Sequence, residues 1–169
     1  LAVNALGFAM QDFEFSRLTP DPAAIRAKLD EQQALFAAAN TDDDDFNIRM
    51  ATVQALGYEN ILRKLQAGQS LAQSIPVQAL RLGDLTLMGA PFEIFQAIIN
   101  DVKKQALSPI PLVMSITNGE FGYAPDRTAA ARGGYAAEQV PVMFGIAAFA
   151  KIHDELVAAF LAVEKAVQK

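Results

Sequence analysis

The dipeptide Gly83-Asp84 constrains the fold of this chain more than any other feature. It joins Val77-Gln78-Ala79-Leu80-Arg81-Leu82 to Leu85-Thr86-Leu87-Met88. A two-residue Gly-Asp connection between apolar runs is the chemistry of a tight β-hairpin, because glycine supplies the positive φ that such turns require. Helical patterns lie on both sides of it. Upstream, Asp21-Pro22 predicts a capped helix carrying Ile25, Leu29 and Phe36 and running to about Ala39. A second helix is predicted to turn Ile48, Val53, Leu56, Ile61, Leu62 and Leu65 inward, with Gly57 as a weak point, and to stop near Gly68. Between the two, Thr41-Asp42-Asp43-Asp44-Asp45 lacks the alternating oxygen ligands and terminal Glu of a calcium loop and reads as a solvated linker that caps the second helix.

Downstream of the hairpin, Pro91 is expected to start a helix with Ile94, Phe95, Ile98, Ile99 and Val102 on one face, ending before Ser108-Pro109. A buried strand, Leu112-Val113-Met114-Ser115-Ile116, should follow. Asn118-Gly119 and Tyr123-Ala124-Pro125-Asp126 mark a long loop, and Gly133-Gly134 opens a further irregular stretch. Residues 146–167 repeat Phe149, Ile152, Leu156, Phe160, Val163 and Val167 at three- and four-residue steps, the signature of one long helix against a core. Near the start, Asp12-Phe13-Glu14-Phe15 alternates as a half-buried strand does, and residues 6–10 extend the pattern. The order strand, helices, hairpin, helix, strand, helix indicates an α/β fold, a mixed β-sheet with packed helices.

With 169 residues, 52% apolar and 20% charged, the chain is large enough to bury a core of its own. No apolar run approaches the ~18–20 residues of a membrane span, because polar or charged residues interrupt each candidate. A net charge of −5 argues against nucleic acid as a partner, since phosphate recognition needs a basic surface. The absence of cysteine removes disulfides, thiol nucleophiles and Cys-ligated zinc without assigning a compartment. Leu1-Ala2-Val3-Asn4 has neither an initiating Met nor a basic leader and reads as the start of a fragment or processed chain.

Chemistry-bearing motifs are sparse. There is no Gly-rich phosphate loop, no His-Glu-x-x-His helix and no Gly-x-Ser-x-Gly elbow. His153, the single histidine, is expected to be structural or solvent-facing, because a zinc site needs several converging ligands. Neither Ser108 nor Ser115 has a histidine partner in sight, so a self-contained Ser-His-Asp triad is not expected. Glu93, after Gly89-Ala90-Pro91, is either an exposed first-turn glutamate or a carboxylate favoured by the helix dipole. Tyr123, in the loop Asn118-Gly119-Glu120-Phe121-Gly122-Tyr123, is either an aromatic anchor or a polar site residue.

Two segments resemble the neutral, non-lysosomal ceramidases. One runs from Val77-Gln78-Ala79-Leu80-Arg81-Leu82-Gly83-Asp84-Leu85 to Ala90-Pro91-Phe92-Glu93; the other runs from Thr117-Asn118 through Gly122-Tyr123 to Gly133-Gly134-Tyr135. The resemblance divides the chain into a mostly helical, weakly matched part, 1–70, and a ceramidase-like segment, 71–169, which would belong to a larger layered α/β catalytic domain.

That family binds one zinc ion through two His, a Glu and a Tyr. The resemblance therefore implies that Glu93 and Tyr123 are two of the metal ligands and that Tyr135 stabilises the oxyanion of amide hydrolysis. The two His ligands and the Ser-containing segment would come from an upstream part of the same polypeptide or a cleaved companion chain. The substrate the resemblance implies is an N-acyl amide, ceramide being the family's own. Phe92, where the family has a small residue, and Ala136, where an acidic one is usual, point to a different substrate or a decayed site. Two rival readings accompany this one: a non-catalytic binding or structural module of the same fold that holds no metal, and another amidase or esterase chemistry acting on a smaller soluble amide. A chain lacking its companion is also expected to expose an apolar face and to behave poorly as a monomer.

Overall fold

A computed structural model describes residues 5–38 and 45–168. The fold is mixed α/β, as the alternation of patterns predicted. Four strands form one sheet in the order β1-β2-β3-β5: β1 (Leu6–Glu14), β2 (Ser74–Leu82), β3 (Leu85–Gly89) and β5 (Ile110–Met114). The first three are antiparallel, and β5 runs parallel to β3. The parallel pair needs a crossover, and α3 (Gln96–Gln105) supplies it. The Gly83-Asp84 hairpin closes as predicted, with Gly83 at φ 61° and Leu82 opposite Leu85.

Side chains alternate across a strand, and here the two faces meet different environments. Ile75, Val77, Ala79 and Met88 face helix α6 (Ile152–Val167) and are fully buried, forming the main core with Phe15, Phe92, Leu156, Phe160 and Val163. Phe15, Phe92 and Phe149 pack edge-to-face at its base. The opposite face carries apolar rows that no layer covers among the described residues. Leu6, Leu82, Leu85 and Ile110 stand in one row, and Phe8, Leu80, Leu87 and Leu112 in the next.

A smaller cluster joins α1 (Pro22–Ala37) to α2 (Phe46–Gln66) through Leu29, Ala55 and Leu62. Asp21 caps α1 by accepting from the Ala23 amide, and Asp45 caps α2 by accepting from Asn47. The remainder of the predicted acidic linker, 41–44, lies outside the described residues, as does the expected end of the first helix at Ala39.

Several expectations need correction. The inward face of α2 is built from Ala51, Ala55, Ile61 and Leu62, while Val53 and Leu56 are exposed. Gly57 is a point of contact: a Cβ there would lie 2.8 Å from the carbonyl carbon of Val142. Small residues face inward because α5 (Val140–Met143) packs directly against this helix.

Pro91 does not start a helix. The chain bends, forms the two-residue strand β4 (Glu93–Ile94), and becomes helical only at Gln96. The amides of Glu93 and Phe95 donate to the carbonyls of Gly122 and Ala124, 2.9 and 3.1 Å away. Tertiary pairing thus takes the donors that a first helical turn would have left free.

Strand β5 starts two residues earlier than predicted and is a sheet edge, with Ile110 and Leu112 exposed rather than buried. The stretch after Gly133-Gly134 is regular: a π-helical turn, Tyr135–Gln139, leads into α5. The last helix begins at Ile152, not at 146. Ile146 and Phe149 are buried from an extended segment whose Ala148 carbonyl and Ala150 amide bond to Leu18 and Ser16.

Candidate functional site

Glu93 and Tyr123, thirty residues apart in sequence, are direct neighbours. The segment after β3 and the segment after β5 meet as a parallel two-stranded pair, β4 with β6 (Tyr123–Ala124), in the register Glu93 opposite Tyr123 and Ile94 opposite Ala124. The connection is built from the backbone. Thr117 donates to the Ala90 carbonyl, Ile116 to Phe92 and Phe121 to Pro91, so the whole 115–122 loop is fastened to the bend at Pro91. Gly122, at φ 78°, lets that loop pass close to α5, where a Cβ would lie 2.8 Å from Val140 Cγ1. The Ser115 hydroxyl accepts from the Ile94 amide at 3.3 Å, at the edge of the same pair.

Because residues opposite each other in paired strands present their side chains to one face, the Glu93 carboxylate and the Tyr123 phenol meet. The neighbouring Glu93 carboxylate is the largest cause that raises the Tyr123 phenol above its ordinary value of 10.0, with burial adding to it. The ring of Tyr123 also packs against Phe95 and Tyr135, with centroids 6.1 and 6.0 Å away. Tyr135 opens the π-helical turn and is half exposed, at 55%. The three residues singled out in the sequence therefore lie together at the C-terminal ends of β3 and β5, the end of parallel strands where sites in open α/β sheets are built. Glu93 precedes the helix rather than sitting in its first turn, so the helix-dipole argument does not apply to it.

A zinc site takes four ligands of N, O or S type. Glu93 and Tyr123 are two adjacent oxygen donors, so the pair fits half of such a site. Among the described residues no group of three His, Asp or Glu side chains converges on one point. A metal held here would need donors from outside this set.

Sequence reasoning missed a second polar cluster. His153 is buried and its Nε2 lies 3.1 Å from Asp101 Oδ2. Arg127 bridges Asp101 and Asp154, and Lys104 pairs with Asp101 at 3.2 Å. Hydrogen bonds from Lys104 and then His153 hold the Asp101 carboxyl below its ordinary range. A cleft of about 360 Å³ opens beside His153, Arg127 and Asp154. The cluster ties α3, α4 (Arg127–Arg132) and α6 together, which gives His153 a structural place. Its long-range contacts join Asp101 to Arg127, Arg127 to Asp154 and Asp101 to His153, 26, 27 and 52 residues apart, so no local pattern signals it.

No family model matches this sequence, and no curated protein matches it. Among solved structures, the neutral ceramidase from Pseudomonas aeruginosa is similar in fold, at 17% identity and a TM-score of 0.47. The match covers 97% of this chain and 29% of that one, so this chain spans less than a third of the structure it matches.

Proposed function

We propose that this chain is part of a zinc-dependent amidohydrolase resembling the neutral ceramidases, cleaving an N-acyl amide to a fatty acid and an amine. The supporting observation is the β4–β6 register, which sets the Glu93 carboxylate against the Tyr123 phenol beside Tyr135. In this reading residues 71–169 carry the chain's share of the site and 1–70 buttress it, while an upstream segment or companion chain contributes the two His ligands. Glu93 and Tyr123 hold the metal, and Tyr135, partly open to solvent, donates to the amide carbonyl oxygen as negative charge develops there. Zinc, when bound, polarises that carbonyl and acidifies a water. The phenol must lose its proton to become a ligand. Glu93 disfavours this while it is the only partner, whereas the positive charge of a bound metal would favour it.

A second reading rests on the same contact. A phenol set beside a carboxylate can satisfy it without any metal, as a binding or structural module of this fold would hold the pair. Intact mass with zinc analysis of the native protein separates the two. One zinc per complex, released by Glu93→Ala, supports the amidohydrolase. Native protein that contains the complete polypeptide and no zinc refutes it.

A further inference from the structure

The face of the four-stranded sheet turned away from α6 is an unusually large apolar surface. Leu6, Phe8 and Met10 of β1 are 74, 65 and 58% exposed, and Ile110 and Leu112 of β5 are 42 and 43% exposed at the other edge. Between them the leucines of β2 and β3 are only partly covered. The exposed parts of these side chains amount to roughly 700 Å², above the ~300–600 Å² of the largest patch on an ordinary monomer. That area is close to the ~800 Å² per partner of a stable protein interface.

The perimeter of this face says what kind of layer fits it. Asp12 and Glu14 continue β1 on the same face, Asp84 stands at the hairpin turn and Glu120 in the loop after β5, all exposed. The one basic residue of these strands, Arg81, is committed elsewhere: its guanidinium donates to the Gly83 carbonyl and, on the α6 side, to Gln168. An apolar field with an acidic rim calls for an apolar layer with a basic rim. A second copy of the chain brings an acidic rim of its own, and a membrane surface rich in anionic lipid is repelled by the same carboxylates.

We propose that the open sheet face is the docking surface for a companion polypeptide layer, apolar at its centre and rimmed by Lys or Arg. The inference rests on the reading that the metal site is completed from outside this chain, and it names where the completing part sits. The face is continuous with the site. The row of Met10, Gln78, Gly89 and Met114 meets that loop, because the Thr117 side chain packs so closely on Gly89 that a Cβ would lie 2.8 Å away, and Asn118 donates to Gln78 at 2.7 Å. Five to six residues further on, the same loop reaches Tyr123. A layer seated on Phe8 and Leu112 therefore abuts the loop that carries one of the two oxygen donors, and can bring ligands to Glu93 and Tyr123.

Methionine oxidation by hydrogen peroxide tests this, because Met10 lies on the open face and Met88 on the buried one, at 0% exposure. The chain expressed alone and the native protein from its own cells are compared by peptide mass, with light scattering to give the mass of each. The expected result is that Met10 oxidises readily in the isolated, monomeric chain and at least tenfold more slowly in the native protein. Native material should also contain polypeptide beyond copies of this chain, and Phe8→Lys should restore Met10 reactivity while Met88 stays protected. Three results overturn the proposal: Met10 equally reactive in both, protection arising from a dimer of this chain alone, or protection that appears only with added lipid vesicles. Zinc content is read on the same native sample. Met10 protected without zinc refutes the amidohydrolase and leaves the docking surface; zinc present with Met10 reactive does the reverse.

Discussion

Replacing Gly57 with alanine gives opposite outcomes depending on whether α2 is considered alone or in its packed environment. In an isolated helix the change stabilises by about 1 kcal/mol, because glycine pays the largest backbone entropy and alanine the smallest. Here the new Cβ would lie 2.8 Å from the Val142 carbonyl carbon, 3.1 Å from its Cγ1 and closer still to its carbonyl oxygen, where ordinary contacts begin at 3.4 Å. The obstacle is backbone, so no rotamer change relieves it. α2 and α5 must separate by roughly 1.5 Å, which breaks close packing along their contact. Overpacking of this kind costs ~1–3 kcal/mol or more, and after the helical gain a net loss of about 2 kcal/mol is expected. For a chain of this size that is a fall of roughly 4–8 °C in melting temperature. Urea denaturation followed by far-ultraviolet circular dichroism measures it directly, with a lower midpoint at unchanged slope. A midpoint equal to or above that of the parent protein would show that the two helices do not approach as described.

Glu164 is fully buried and accepts from the amides of Leu107 and Ser108 at 2.8–3.0 Å, so Glu164→Ala leaves both amides without an acceptor and should cost ~2–4 kcal/mol in the same denaturation assay; a loss under 0.5 kcal/mol would mean that water replaces the carboxylate freely. Asp101 has its carboxyl lowered by Lys104 and His153, and a lowered carboxyl contributes stability that is present above its ordinary value of 3.8 and is lost as pH falls through the lowered one. Asp101→Asn should therefore flatten the fall of melting temperature between pH 5 and pH 2, and superimposable acid limbs would refute the contribution. Tyr123 has the opposite sign: its raised phenol favours the folded state below pH 10, and that contribution is lost as pH rises through the raised value. Absorbance at the phenolate band should accordingly show Tyr123 titrating later than free tyrosine, a delay that Glu93→Gln shortens. Under the proposed function, protein that has bound zinc should instead show phenolate absorbance at neutral pH.

Local signals carried the reading of the fold where the chain's own chemistry sufficed. The Gly83-Asp84 turn, the caps at Asp21 and Asp45 and the apolar stripe of α6 are decided within a few residues, because turn geometry and helix termini are satisfied by neighbours in sequence. The same signals failed wherever a distant backbone competed. Pro91 opens a bend because Gly122 and Ala124 offer carbonyls to the amides of Glu93 and Phe95. Phe149, in step with the helical repeat, instead lies in an extended segment paired with Arg17. Val53 and Leu56 follow an apolar period yet face outward, because α5 approaches α2 on the side of its small residues.

The candidate site divides in the same way. Resemblance to a family selected Glu93, Tyr123 and Tyr135, but no spacing in the sequence joins a glutamate to a tyrosine thirty residues on. Their contact exists because the chain crosses over through α3, returns beside β3 as β5, and brings the two segments after those strands into one register. The cluster of His153, Asp101, Arg127 and Asp154 is likewise a product of three helices meeting. The sequence by itself determined turns, caps, the apolar stripe of α6 and the acidic charge, all of which are set by near neighbours or by composition. Only the tertiary structure decided which polar groups meet and which apolar face is left uncovered, because both depend on backbone pairings between residues far apart in the chain.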